Sequence, residues 1–241
     1  MLSLLLCLLV GVLLSFTEGC KALLADPLFF TELQGENTEK IITSQYDPTE
    51  YKNLPDKVEL RQNNSCNWAT LATIKKMCEF LYTDIVPPTT IADVYKALVG
   101  KSFIDVRGYK YEFRSDRMAF VGLADALRLL IPKYILGTYF LTPNYGTRYA
   151  EPVPPQLWID ALKNGQEICE NGGFTIVHCI KHRESHTVLA TDIKDGMAII
   201  VDSNSNTAQR VYFKDFLEPP GAINMIGVTL KPKNINVKSP F

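Results

Sequence analysis

The sequence predicts an α+β fold from three observations. Between residues 66 and 163, several segments carry apolar residues at three- and four-residue spacing, the period of helices that bury one face. From Gly172 onward the period changes to short β-branched runs such as Phe174-Thr175-Ile176-Val177-His178-Cys179-Ile180. Polar turns separate those runs, and Asp195-Gly196 is a strong two-residue hairpin signal. Helices followed by an antiparallel sheet make the α+β pattern.

The elements follow in order. The chain opens with an uncharged stretch, residues 2–16, built almost wholly of Leu, Val, Gly and Cys. It is short of the roughly 20 apolar residues a membrane span needs, and it suits the core of a signal peptide cut before Cys20. An uncleaved N-terminal anchor is the alternative. Either way residues 1–19 are read as an export segment, so the protein is expected to be secreted or membrane-anchored. Residues 20–57 hold Pro27, Pro48 and Pro55 with no sustained period, and read as a linker or an arm laid across the domain. Whether they act as a removable pro-segment is open. Residues 58–241 form the globular domain.

That domain starts with the polar run Arg61-Gln62-Asn63-Asn64-Ser65 leading into Cys66. Trp68, Ala69, Leu71, Ala72, Ile74, Met77, Cys78 and Leu81 then form one apolar face, so a helix should run from 66 to about 82. Asn64 or Ser65 is placed to cap it. Thr89 or Thr90 caps a short helix that Gly100 closes, and residues 101–118 make an extended pair around Gly108. Residues 120–130 read as a helix stopped by Pro132, and 136–141 as a strand. Pro154-Pro155 opens a helix over 156–163, with Gly165 beyond its end. Strands follow at 174–180, 186–193, 197–201, 210–213 and 225–230.

Composition excludes some partners. Lys+Arg 25 against Asp+Glu 26 leaves a net charge of −1, and no basic run suggests nucleic acid. Contact with a membrane is expected only through the N-terminal segment, if it stays uncleaved. Cys66, Cys78, Cys169 and Cys179 are too widely spaced for a disulfide framework, and a single Cys169–Cys179 bridge is left open by the sequence. No CxxC occurs, so a zinc ribbon is excluded. His178, His182 and His186 share one spacing, but they fall on a strand–turn–strand rather than a helix, where they would not converge on a metal. No metal and no cofactor is expected.

The chemistry-bearing residues are few. A thiol on the first turn of a helix lies at the positive end of the helix dipole, which favours its nucleophilic form. Such a nucleophile needs a base, an orienter for that base and donors for the oxyanion. His186 begins one predicted strand and Asp202 ends the next, so the Asp-Gly turn should bring them together across the hairpin. Cys66, His186 and Asp202 are therefore the candidate nucleophile, base and orienter. Asp192, Asn204 and Asn206 are alternative orienters. Trp68 reads as core.

The order Cys, His, Asp on helix then sheet resembles the papain-like cysteine peptidase superfamily, most closely its C39-like and bacterial effector-type branches. Those branches carry a line resembling G-H-x-V-V followed by D-G-x-x-x-V-x-D. Here Ser185-His186-Thr187-Val188-Leu189, Asp195-Gly196 and Ile200-Val201-Asp202 occupy those places. The resemblance spans roughly residues 58–231. It implies a papain-like fold, with the nucleophile helix on a C-terminal antiparallel sheet, and thiol-dependent hydrolysis of a peptide or isopeptide bond in a protein or peptide substrate. It also implies that Gln62, upstream of the cysteine, donates to the oxyanion; Asn63 and Asn64 are alternatives, since the Gln62–Cys66 spacing is shorter than the family's. Two other classes remain open: acyl transfer of the transglutaminase type, and a binding domain with an inactive site.

Overall fold

The computed structural model describes residues 36–54, 65–104, 108, 110–113, 118, 120–142, 154–181, 184–216 and 222–232. Gln62, Asn63, Asn64 and His182 lie outside them, as does the apolar N-terminal stretch. No helix among the described residues is long and apolar enough to cross a membrane.

Helices α1 (Glu36–Ile41), α2 (Cys66–Thr83) and α3 (Ile91–Leu98) come first. A small hairpin follows, β1 (Ser102–Ile104) with β2 (Lys110–Glu112), and then α4 (Leu123–Leu130), β3 (Ile135–Phe140) and α5 (Pro155–Glu170). The chain continues with β4 (Phe174–Lys181), β5 (Glu184–Lys194), β6 (Met197–Asp202), β7 (Thr207–Tyr212), α6 (Phe213–Phe216) and β8 (Ala222–Leu230). Six of the strands form one sheet in the order β3-β8-β4-β5-β6-β7, and every neighbouring pair is antiparallel. Helices plus a large antiparallel sheet make the protein α+β.

Two apolar clusters hold the sheet. In the larger, Trp68, Leu71 and Ile74 of α2, Leu98 of α3 and Leu127 of α4 meet Ile176, Leu189, Val201 and Ile226. In the smaller, Ala161 and Cys169 of α5 meet Val177, Val188, Ala190, Ile200 and Met225. Successive residues, Ile176 and Val177 or Leu189 and Val188, thus serve different clusters, because the pleat alternates. Burial in both directions explains why these central strands read as apolar runs rather than strict alternation. Each fully buried Leu or Ile contributes about 1.5–3 kcal/mol.

Local signals account for the helix ends. Thr90 caps α3 in a capping box, its hydroxyl accepting from the Asp93 N–H while Asp93 accepts from the Thr90 N–H. Helix α2 stops at Asp84, which takes the left-handed conformation at φ 58°. Ser65 holds the N-cap position of α2, but its side chain makes no capping bond to the helix. The stretch read as one helix over 120–130 opens instead with a 3₁₀ turn at Phe120–Gly122.

Helix α5 differs most from its sequence reading, because it runs straight through Gly165 to Glu170. A Cβ on Gly165 would lie 2.6 Å from Met225 Cε. The glycine serves close approach of the helix to the sheet, not termination. The stop comes at Gly172, where φ is 75°.

Candidate active site

The site gathers at the start of α2 and the adjacent ends of β5 and β6. Cys66 is the first residue of α2, and its thiol is half-buried, whereas Cys78, Cys169 and Cys179 are buried. All four are thiols, so the Cys169–Cys179 bridge is not formed. Burial pushes the Cys169 thiol up to about 12 and the Cys78 thiol higher still, which makes both inert at neutral pH.

His186 and Asp202 are buried, at 4% and 3% exposure, and His186 Nε2 lies 2.8 Å from Asp202 Oδ1. The Cys66 side chain also lies close enough to the His186 ring to raise its pKa. Burial pulls the imidazole pKa down, but the bond to Asp202, the proximity of Cys66 and the charges on both outweigh it and hold His186 at about 9. At neutral pH the ring is therefore an imidazolium between a thiol group and a carboxylate. Asp202 Oδ1 also accepts from the Asn204 N–H at 2.9 Å, which fixes the carboxylate.

The route by which β5 and β6 bring these two side chains together was not visible in the sequence. The turn itself is as read: Asp195 and Gly196 both have positive φ, 51° and 76°, as a two-residue hairpin requires. Lys194 pairs with Met197 beside that turn. Continued regularly, that pairing would set Asp202 opposite Leu189, on the other face of the sheet from His186. Instead the register shifts by one residue between Thr191 and Lys194, so that Leu189 pairs with Val201. Asp202 then falls opposite Val188 and becomes a diagonal, same-face neighbour of His186. The bulge bends at Asp192, which takes φ 46° and bonds through its carboxylate to Arg210. Asp192, an alternative orienter in the sequence reading, thus shapes the strand and does not touch the imidazole.

The remaining residues divide clearly. Trp68 is wholly buried in the larger core and packs on Tyr95 at 5.5 Å between centroids. Asn67 donates to the Met118 carbonyl at 2.6 Å, pinning the first turn of α2. His178 stacks on Phe120 at 5.0 Å and bonds to Ser185. Among the described residues no three His, Cys, Asp or Glu side chains converge on a metal position.

No family model matches the chain, and no curated protein matches it. Among solved structures it is similar to the peptidase domain of Streptococcus ComA, a bi-functional ABC transporter involved in a quorum sensing pathway. The identity is 16% and the TM-score 0.38, over 73% of this chain and 96% of that one. A likeness that loose carries neither a fold assignment nor a chemistry across.

Proposed function

We propose that this protein is a thiol hydrolase, a cysteine peptidase with a papain-like core, acting on a peptide or isopeptide bond of a protein or peptide substrate. One observation carries the reading: a buried imidazole bonded to a buried carboxylate, with the half-exposed Cys66 thiol close enough to act on the same ring. That is the arrangement a nucleophile, a general base and an orienter require.

In this reading His186 holds the proton of the Cys66 thiol, and the sulfur attacks the substrate carbonyl carbon. The Cys66 backbone N–H, one of the first-turn donors with no partner inside the helix, points at the developing oxyanion. Gln62, or Asn63 or Asn64, is proposed as the second donor. His186 then gives its proton to the departing amine as the C–N bond breaks, leaving a thioester on Cys66. Water loses a proton to His186 and attacks the thioester, and the C–S bond breaks to release the acid and the Cys66 thiolate, which restores the starting thiolate–imidazolium pair. Asp202 stabilises the imidazolium throughout and is not itself protonated. The uncharged segment at residues 2–16 supports export of the enzyme, with membrane attachment through that segment alone.

The test is to incubate the protein with a complex peptide library and map new termini by mass spectrometry. Cleavage at a restricted set of sequences, absent in Cys66→Ala, supports hydrolysis. Products in which an added amine replaces water would move the reading to acyl transfer on the same residues. No Cys66-dependent product of either kind would leave a binding domain.

A further inference from the structure

Residues 41–54 precede the candidate site in sequence and touch both of its halves. Ser65 immediately precedes Cys66, and Ser203 immediately follows Asp202. Tyr51 joins the first of these to the arm: its hydroxyl donates to the Gln45 carbonyl at 2.6 Å and lies 2.6 Å from Ser65 Oγ. The single phenolic proton is committed to Gln45, so Ser65 donates to the Tyr51 oxygen. Ser65 thus occupies the N-cap position with its hydroxyl turned to Tyr51 and making no capping bond to α2. Gln45 completes the link. Its N–H donates to the Ser203 carbonyl at 3.2 Å, and its side-chain oxygen accepts from Ser203 Oγ at 3.2 Å.

Both flanks of this segment are anchored in the interior. Ile41 and Ile42 belong to the larger core, and the Thr43 N–H donates to Thr73 Oγ1 of α2 at 2.9 Å. At the other end, buried Glu50 accepts from the Ile91 N–H at 3.0 Å and pairs with Lys76 at 3.8 Å. Gln45, Ser65 and Ser203 are all buried. Removing the segment would strand each of these polar groups, which is costly inside a protein. Burial, reinforced by the charges of Glu50, Tyr46 and Cys66, holds the Tyr51 phenol above its ordinary pKa, so it remains a donor across the neutral range.

We propose that residues 41–54 are a permanent strap between the nucleophile and the base–carboxylate pair, rather than a pro-segment to be removed, and that Tyr51 is the positioning residue through which the strap holds Cys66 against His186. The proposal rests on the hydrolase reading above. Tyr51 acts through Ser65 on the first turn of α2, and Gln45 carries the same link to the turn that bears Asp202. Loss of the bridge loosens the approach of Cys66 to His186 without altering any group that touches substrate.

The test is the pH profile of Cys66 alkylation by iodoacetamide between pH 5 and 9, read by peptide mapping on the full chain. Tyr51→Phe keeps the ring and removes the bridge, and should label about fivefold more slowly at pH 6, the loss expected for one hydrogen bond. Ser65→Ala should match it, and Ser65→Thr should restore the wild-type profile. The double variant should be no slower than either single one, because both remove the same bridge. Wild-type profiles in Tyr51→Phe and Ser65→Ala would overturn the proposal. If Tyr51→Phe does not fold, the contrast between Ser65→Ala and Ser65→Thr decides it alone, equal profiles overturning it. If wild type and His186→Ala label alike, the hydrolase reading fails separately. Thermal unfolding then tests the strap, and additive losses for Tyr51→Phe and Ser65→Ala would sink it.

Discussion

Strand β4 carries a half-buried histidine and β5 a buried one, and the two differ in charge at neutral pH. His178 stacks on Phe120 and, among the described residues, bonds to a hydroxyl, that of Ser185. Burial, with a smaller push from charged His186, brings it down to about 4. Burial pulls His186 the same way, yet the bond to Asp202 and the proximity of Cys66 leave it at about 9. The environment's polarity has the same sign for both rings. What separates them is an anionic partner placed within hydrogen-bond reach.

The sharpest way to break that comparison is to exchange the consequences of losing each ring. His186→Ala should lower library cleavage by about 10²- to 10⁴-fold, the range for a missing general base. His178→Gln should leave cleavage within about threefold, because no step of the proposed reaction uses that ring. Comparable losses in both variants would dissolve the distinction.

Removing the partner rather than the ring comes next. Asp202→Asn keeps a side chain of the same shape but no charge, so His186 should fall from about 9 toward the ordinary value of ~6.5. Cleavage at pH 7 should drop roughly ten- to a hundredfold. An NMR titration of the His186 ring reads the shift directly.

Stability should separate the two histidines by pH. The folded-state pKa of His186 lies above its unfolded value, so its contribution is complete below about 6.5 and is lost as pH rises through about 9. His178 is the reverse: its folded value lies below the unfolded one, so the fold loses stability as pH falls from ~6.5 through about 4. His178→Gln should therefore recover on the order of 1–3 kcal/mol at pH 4.5 relative to pH 7, measured by urea unfolding.

The smallest expected effect concerns the bulge. Asp192 holds a left-handed conformation that glycine accepts and a β-branched residue resists. Asp192→Val should lose about 1–2 kcal/mol more than Asp192→Gly, although both remove the bond to Arg210. Equal losses would show that the Arg210 pair, not the backbone, maintains the register.

How much of this was legible in the sequence follows from where each interaction is encoded. Strands β4 to β6 and the Asp195-Gly196 turn could be read locally, because period and turn chemistry are properties of neighbouring residues. The sequence anticipated His186 and Asp202 as cross-strand neighbours without saying which residues stand opposite one another, and the pairing is diagonal. What it did not show is the extra residue at Asp192, since nothing in a β-branched run marks where register will slip. Gly165 read as a helix end because its contact, Met225, lies sixty residues away in β8. Tyr51 carried no signal at all, since its bridge to Ser65 exists only after the arm has folded over the start of α2.

The most direct test of the central arrangement is the alkylation rate of Cys66 at pH 6, compared between wild type and His186→Ala by peptide mapping. The buried thiols of Cys78 and Cys169 serve as internal controls for folding. Fast labelling of Cys66 that the variant loses, with both controls still protected, is what a thiol paired with the His186 imidazolium predicts. Slow labelling that is the same in both proteins would contradict it, and the site would then be one that holds three suitable residues without making a nucleophile of any of them.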